Sequence, residues 1–295
     1  MNQELLMEKQ ALYLQAIEEN YPNLEIHSAR LHTDEGQFND ILFINEDLVF
    51  RFPRYEGDIP AFIQEIKVLQ SLQGYLPLPI PDPIYASLHA QETGRVFMGY
   101  KILPGRPLFR SLLQNITDEK VLDSFSRQIA NFLHELHKLS PAQIGWELPI
   151  TDELEKAREL FSKIERHLFQ FMRPEARESV TRHFENYFDR ADLHQYELSV
   201  IHGDFGGSNI LFEENKITGI IDFSSAGPGD PAVDIASIST VGESFFARFC
   251  KQYPLSEALL ERARFYRGTY ALQEALYGFL HNDLEAFENG LEQYR

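Results

Sequence analysis

The chain has 295 residues, with 45 acidic and 27 basic side chains for a net charge of −18, enough for two lobes with separate cores but without a basic surface to hold nucleic acid. Its one cysteine, Cys250, excludes an internal disulfide; no CxxC, HExxH or Cys/His cluster argues for zinc, and no run approaches the ~18 apolar residues of a membrane span. The polar, acidic start is no secretory signal, so a cytoplasmic monomer is expected, with an acidic surface suited to gathering cationic small molecules.

Glu4 to Asn20 shows helical periodicity through Leu5, Leu6, Leu12 and Ile17 and stops before Tyr21-Pro22. Glu25 to Arg54 alternates as antiparallel strands around Ile26 to Leu31, Ile41 to Ile44 and Leu48 to Phe52, with Asn45-Glu46-Asp47 turning between the last two. Between them, Thr33 to Asn39 holds a single glycine, Gly36; its backbone N–H groups and the Asn39 side chain are expected to meet phosphate oxygens. Arg51 is the one charge among apolar residues on its strand, and Glu65 falls on the next helix, Asp58 to Leu72. That order of strand, cation, helix and carboxylate suits a phosphate anchor braced from behind. Arginine at such a place keeps the charge and adds a bidentate fork.

The proline run Leu76 to Pro83 forbids helix and central strand and is an extended connector. Ile84 to His89 and Val96 to Ile102 make a further strand pair, and Pro104-Gly105 is the expected hinge. Backbone from Gly99 to Leu103, with Tyr100 and Ile102, is expected to border a nucleotide base, Tyr100 limiting the depth of its pocket. Residues 1–103 are therefore expected to form a nucleotide-binding lobe with its hinge. Residues 104–295 are expected to form a helical lobe carrying the catalytic loop and the substrate site. Helices are expected over Asp118 to Leu139 (Thr117 as N-cap), Thr151 to Phe171, Pro174 to Asp192, Pro231 to Tyr253 and Ser256 to Tyr294.

The richest stretch interrupts those helices. Val200-Ile201-His202-Gly203-Asp204-Phe205 leads to Asn209-Ile210-Leu211-Phe212, and Gly219-Ile220-Ile221-Asp222-Phe223 follows. A loop of pattern H-x-D-x-x-x-x-N between apolar strands, answered by a carboxylate at the end of a third, suits phosphoryl transfer. Asp204 is placed to orient and deprotonate an acceptor hydroxyl. Asn209 and Asp222 offer the hard oxygen ligands that Mg²⁺ prefers. Asp230 in Gly229-Asp230-Pro231 suits a helix N-cap with proline at the first helical position. Asp234, one turn inside, is expected to accept backbone N–H bonds and fix the loop at His202 and Asp204, with His202 a buried scaffold residue.

These residues resemble the aminoglycoside phosphotransferase family of antibiotic kinases over nearly the whole chain. The resemblance lies in the H-G-D-F-x-x-x-N loop at 202–209, Ile-Ile-Asp-Phe at 220–223 and Gly-Asp-Pro-Ala-Val-Asp at 229–234. Phe-Arg-Phe-Pro-Arg at 50–54, Leu-Pro-Leu-Pro-Ile-Pro at 76–81 and Phe-Leu-His-Glu-Leu-His at 132–137 look most like the branch acting on a 2″-hydroxyl. The resemblance implies an α+β, two-lobed, protein-kinase-like fold with a small antiparallel-sheet lobe and a larger helical one. It also implies Mg²⁺, ATP or GTP as phosphate donor, catalytic Asp204, and Asn209 and Asp222 as metal ligands.

The substrate region departs from that branch, which carries an acidic run after this helix and a Trp with an acid on a late one. Here Ser237 to Ser244 holds only Glu243, and Thr269 to Glu274 has no Trp and Gln273 where the acid is expected. Glu243, Glu274 and Tyr270 are the substrate residues expected for a cationic antibiotic. The macrolide kinases are similar in fold and carry an Arg in a like strand motif; Phe245, Phe246 and Tyr270 would suit their more apolar cleft. Other small-molecule kinases of the superfamily stay open. A pseudokinase should lack Asp204, Asn209 or Asp222, and all three are present.

Overall fold

The computed structural model describes residues 3–33, 39–146, 150 and 152–295. Helix α1 (Gln3–Asn20) precedes strands β1 (Ala29–His32), β2 (Asn39–Ile44) and β3 (Leu48–Pro53), then α2 (Ile59–Leu72), β4 (Tyr85–Ser87), β5 (Phe97–Lys101) and the short β6 (Arg106–Pro107). Then come α3 (Arg110–Leu113), α4 (Glu119–His137), α5 (Glu153–His167), α6 (Pro174–Phe188) and β7 (Ser199–Ile201). The chain finishes with β8 (Ile210–Glu213), β9 (Lys216–Ile220), β10 (Gly227–Gly229), α7 (Ala232–Ile238), α8 (Glu243–Cys250), α9 (Glu257–His281) and α10 (Leu284–Leu291). This is the α+β class expected, with sheet gathered early and helix late.

The elements form two compact units, Met1–Leu108 with Ser208–Ala226, and Phe109–Gly207 with Gly227–Arg295. The first cut lies a few residues beyond the expected 103/104, and the 208–226 segment belongs with the N-terminal residues rather than with the helices. Its physical cause is strand pairing: β6 pairs antiparallel with β8, and β8 with β9.

In the first unit five antiparallel strands lie in the order β1-β2-β3-β5-β4. The β2–β3 turn places Asn45 and Glu46 at φ of 52° and 63°, the left-handed pair that a tight hairpin demands. Residues around Ile26 stay outside the strands. One sheet face packs on α1, with Tyr13 stacked on Phe52 at 3.9 Å. That helix is also fastened by a buried carboxylate. Asp40 on β2 accepts from the Tyr13 hydroxyl at 2.6 Å and Arg54 Nε at 2.8 Å and pairs with Lys9 at 2.5 Å. The cost of burying Asp40 is met by three donors.

The second unit is helical around Ile164, Leu168, Phe184, Tyr187, Phe265 and Leu272, with Tyr187 stacked on Phe265 at 3.7 Å. Several expected helix limits are corrected here. The N-cap of α4 is Asp118, whose side chain accepts the Lys120 N–H at 2.8 Å, not Thr117. The helix expected over Pro231 to Tyr253 is broken by Gly242 at φ 140°, a conformation closed to other residues. That expected over Ser256 to Tyr294 ends at Asn282 in the left-handed region, and Asp283 caps α10 by accepting the Ala286 N–H. Among the described residues no helix is long and apolar enough to cross a membrane.

Candidate active site

In the first unit the alternation of β3 sends Phe50 and Phe52 to the α1 face and Arg51 to the other, over Phe62 of α2, where burial forces it to find a counter-charge. Glu65, on the buried face of α2, supplies it: Arg51 Nη1 donates to Glu65 Oε1 at 2.6 Å. The other terminal nitrogen, Nη2, stands 3.9 Å from Asp222 Oδ1. Burial works against the arginine's charge, yet Glu65, Tyr100 and Asp222 hold its proton above the ordinary value. Burial raises the Glu65 carboxyl above its usual range while Arg51 and the Phe223 N–H pull it down. The guanidinium never becomes neutral at working pH, so at 2.6 Å the two form an ion pair. Tyr100 is buried on β5, and that burial raises its hydroxyl, with Arg51 opposing.

Asn209 and Asp222 meet at one end of the β8–β9 hairpin. Ile210 pairs with Ile220, and the Asn209 carbonyl accepts the Ile221 N–H at 2.9 Å, which leaves Asp222 one residue further on. Asp222 turns there through φ 63°, and its carboxylate is 45% exposed although Glu65 grips the next residue's backbone. An amide oxygen and a part-exposed carboxylate at one hairpin end are hard donors of the kind Mg²⁺ takes alongside waters and phosphate oxygens, so these residues fit that ion. Among the described residues no group of three or more His, Cys, Asp and Glu gathers for a softer metal.

The second unit holds the loop that carries Asp204. His202 is fully buried and Phe205 stacks on Phe132 at 5.7 Å, so the loop is pinned on both sides of an exposed Asp204. Asp234, fully buried on α7, holds the loop's backbone. Its Oδ2 accepts the His202 N–H and its Oδ1 the Gly203 N–H, each at 2.8 Å. Gly203 sits at φ 82°, where the chain turns so that these successive amides face one carboxylate. The Asp204 N–H then donates to His202 Nδ1 at 3.3 Å. Burial pushes the Asp234 carboxyl up, but the His137 hydrogen bond, the His137 and His202 rings beside it and the His202 N–H outweigh that and hold it below the ordinary range.

The remaining expected residues fall as follows. Tyr270 on α9 shares a 3.0 Å hydrogen bond with Ser237, and its hydroxyl is pushed up to about 12 chiefly by burial, Asp234 and Asp204 adding to it. It therefore lies within electrostatic reach of Asp204. Glu243 opens α8 and Glu274 lies on α9, both exposed. Asn39 opens β2 opposite Pro53. The Ile102 N–H donates to Asp47 O at 2.8 Å, so a base at that position would meet other groups of the segment. Gly36 lies outside the described residues.

Sequence reasoning missed two features. His137, quoted only within a motif, reaches from α4 to the Asp234 carboxylate, with Nε2 and Oδ2 2.9 Å apart. Asp230 does accept the Ala232 N–H at 3.0 Å, but it also binds Arg262 through Nε at 2.6 Å and Nη2 at 3.0 Å. The signal for the second was Arg262, a charge set among the mainly apolar buried residues of α9.

A buried arginine–carboxylate pair, a hairpin end with two hard oxygen donors and an aspartate loop held by a buried carboxylate are residue sets that suit phosphoryl transfer, and comparison with known proteins gives the family. Residues 32–266 match the model of the phosphotransferase enzyme family. The viomycin phosphotransferase of Streptomyces vinaceus is 30% identical over 278 residues, covering 90% of this chain and 92% of that protein. The chain belongs to the phosphotransferase enzyme family and is a small-molecule kinase. Solved neighbours share the fold. The GDP and kanamycin complex of an aminoglycoside 2″-phosphotransferase aligns with TM-score 0.85 at 24% identity over 95% of this chain and 96% of that one. A macrolide 2′-phosphotransferase type I aligns with TM-score 0.74 at 18% identity over 100% and 98%.

Proposed function

We propose that this protein transfers the γ-phosphate of ATP or GTP, with Mg²⁺, to a hydroxyl of an antibiotic, an aminoglycoside being the acceptor that its motifs resemble most. The observation that carries this reading is the Arg51–Glu65 pair, whose second terminal nitrogen, Nη2, stands 3.9 Å from Asp222 at the hairpin end shared with Asn209. Asn209 and Asp222 would hold Mg²⁺, which when bound neutralises phosphate charge and orients the donor. Arg51, kept charged by its neighbours, steadies the nucleotide phosphates, and Glu65 keeps the guanidinium from turning away. Asp204 accepts the hydrogen bond of the acceptor hydroxyl and takes its proton as the phosphoryl group arrives. Asp234 and His202 hold that carboxylate's backbone, and Tyr270 with Glu243 and Glu274 would meet the acceptor. GDP in the complexes of fold neighbours supports a purine nucleotide as donor.

One observation favours a second acceptor. Viomycin phosphotransferase is the 30% identical relative, whereas the aminoglycoside enzymes share the fold at 24%. Gln273 in place of the expected acid also sets this chain apart from the 2″ branch. Turnover of ATP and of GTP with Mg²⁺, against kanamycin, gentamicin, streptomycin, viomycin and a macrolide, decides between them. Asp204→Asn should lower kcat by roughly 10³-fold or more while nucleotide affinity stays within a few-fold. Full turnover in that variant would remove Asp204 from the chemistry, and silence of the wild type on every acceptor would remove the antibiotic.

A further inference from the structure

We propose that Tyr253 is a positioning residue for the catalytic loop, acting through the imidazole of His137. The inference rests on the reading of Asp204 as the residue that orients the acceptor hydroxyl. His137 closes α4 with its side chain only 5% exposed, and both ring nitrogens are engaged. Nε2 lies 2.9 Å from Asp234 Oδ2, and Nδ1 lies 2.7 Å from the Tyr253 hydroxyl. Asp234 is an acceptor on every side, because the same carboxylate takes the His202 and Gly203 amides. The imidazole nitrogen facing it must therefore carry the hydrogen. A neutral ring that donates from Nε2 presents a lone pair at Nδ1, and only a donor satisfies it there. The Tyr253 hydroxyl is that donor; burial and the charges of Asp234 and Asp230 hold its proton well above the ordinary tyrosine range.

Tyr253 is itself held in place. It lies just beyond α8, is 7% exposed, stacks on Phe249 at 5.4 Å and donates its N–H to the Phe249 carbonyl at 3.0 Å. The His134 ring approaches it edge-on at 6.1 Å. A chain of hydrogen bonds thus runs from Tyr253 through His137 and Asp234 to the backbone of His202 and Gly203, directly before Asp204. Without the hydroxyl, Nδ1 is left buried with no donor, and the ring is free to exchange tautomer. A tautomer that turns a lone pair on the Asp234 carboxylate loosens the grip on both loop amides.

The test uses the full chain as wild type, Tyr253→Phe, His137→Gln and the double variant. Nitrogen NMR of histidine-labelled protein reads the His137 tautomer without any acceptor. Turnover is read with Mg²⁺ and ATP or GTP, kanamycin and viomycin serving as acceptor probes, beside Asp204→Asn. The wild type should show Nε2–H alone at His137, and Tyr253→Phe should show a mixture of the two tautomers. Tyr253→Phe should lower kcat roughly tenfold with nucleotide KM within about twofold, as expected for a misplaced catalytic group. In the His137→Gln background, whose amide donates to Asp234 with no tautomer to fix, the same change should cost less than about twofold. An undiminished loss in that background, a loss confined to KM, or a wild-type Nδ1–H ring overturns the proposal, and the last needs no variant to fold. Normal turnover in Asp204→Asn would overturn the underlying reading instead; its loss beside an indifferent Tyr253→Phe overturns this inference alone.

Discussion

Each unit buries an arginine against a carboxylate, and the two pairs are finished to different degrees. Arg262 gives Asp230 two hydrogen bonds, at 2.6 and 3.0 Å, and lies 4.4 Å over the Tyr196 ring; Asp230 also takes the Tyr266 hydroxyl and the Ala232 N–H. Arg51 bonds Glu65 at 2.6 Å and also engages the buried Tyr100 side chain, while its second terminal nitrogen stands 3.9 Å from a part-exposed Asp222. A buried pair with every lone pair engaged has nothing to offer a ligand and serves the fold. A pair with one arm directed at a solvent-facing carboxylate keeps charge and geometry in reserve. Burial and charge are alike in the two; what differs is completion.

The largest expected effect falls on the completed pair. Arg262→Met removes every cation from a fully buried Asp230, and breaking such a pair costs on the order of 3–5 kcal/mol. Denaturant unfolding should show that loss, while kcat per folded molecule stays near wild type. A variant that unfolds normally but has lost turnover would reverse the comparison and make the Asp230 pair a functional one. Arg51→Lys sharpens the other side. Lysine keeps the charge beside Glu65 but cannot fork toward Asp222 and a phosphate together. Nucleotide KM should rise roughly tenfold with thermal stability little changed. An unchanged KM would mean that the second nitrogen does no work.

The completed pair was also the one hidden in the sequence, and for a physical reason. Asp230 was legible as a cap because its partner amide is two residues away, whereas Arg262 lies on a helix whose approach only tertiary packing decides. His137 is a similar case: its motif was visible, but a histidine on an amphipathic helix does not announce an acceptor on α7. Arg51, Glu65, Asn209 and Asp222 stood out because strand alternation, helix order and hairpin spacing are local signals. The same locality explains the helix errors. An apolar period runs on across Gly242 and Asn282, and only the backbone turn at each shows where one helix ends and the next begins. That the 208–226 hairpin joins the first unit follows from β6 pairing with β8, a contact of residues about a hundred positions apart in the chain.

Another buried carboxylate, Asp234, lies between the two extremes, since it is fully engaged yet two of its donors are amides of the loop that carries Asp204. Because its folded pKa lies below the ordinary range, the stability it lends is complete above that range and is lost as pH falls through the folded value. Asp234→Asn removes that titration. Its unfolding free energy should therefore fall less steeply than the wild type's on acidification, and parallel curves would assign the acid sensitivity to other carboxylates. An asparagine must also turn its amide NH₂ toward one of its former donors, so kcat should drop even at neutral pH.

The smallest effects are expected where charge is neither buried nor paired in the core. Glu243 and Glu274 are exposed, so Glu243→Gln and Glu274→Gln should leave stability within about 0.5 kcal/mol. If they meet a cationic acceptor, its KM should rise a few-fold in each variant, and the rise should shrink with added salt as screening shortens the reach of the lost charge. Nucleotide KM should not move, because neither residue lies in the unit that holds Arg51. Should acceptor KM also stay fixed, binding of the antibiotic would rest on Tyr270 and apolar contacts. The distinction between finished and unfinished charge would then apply to the phosphate end of the reaction and not to the acceptor end.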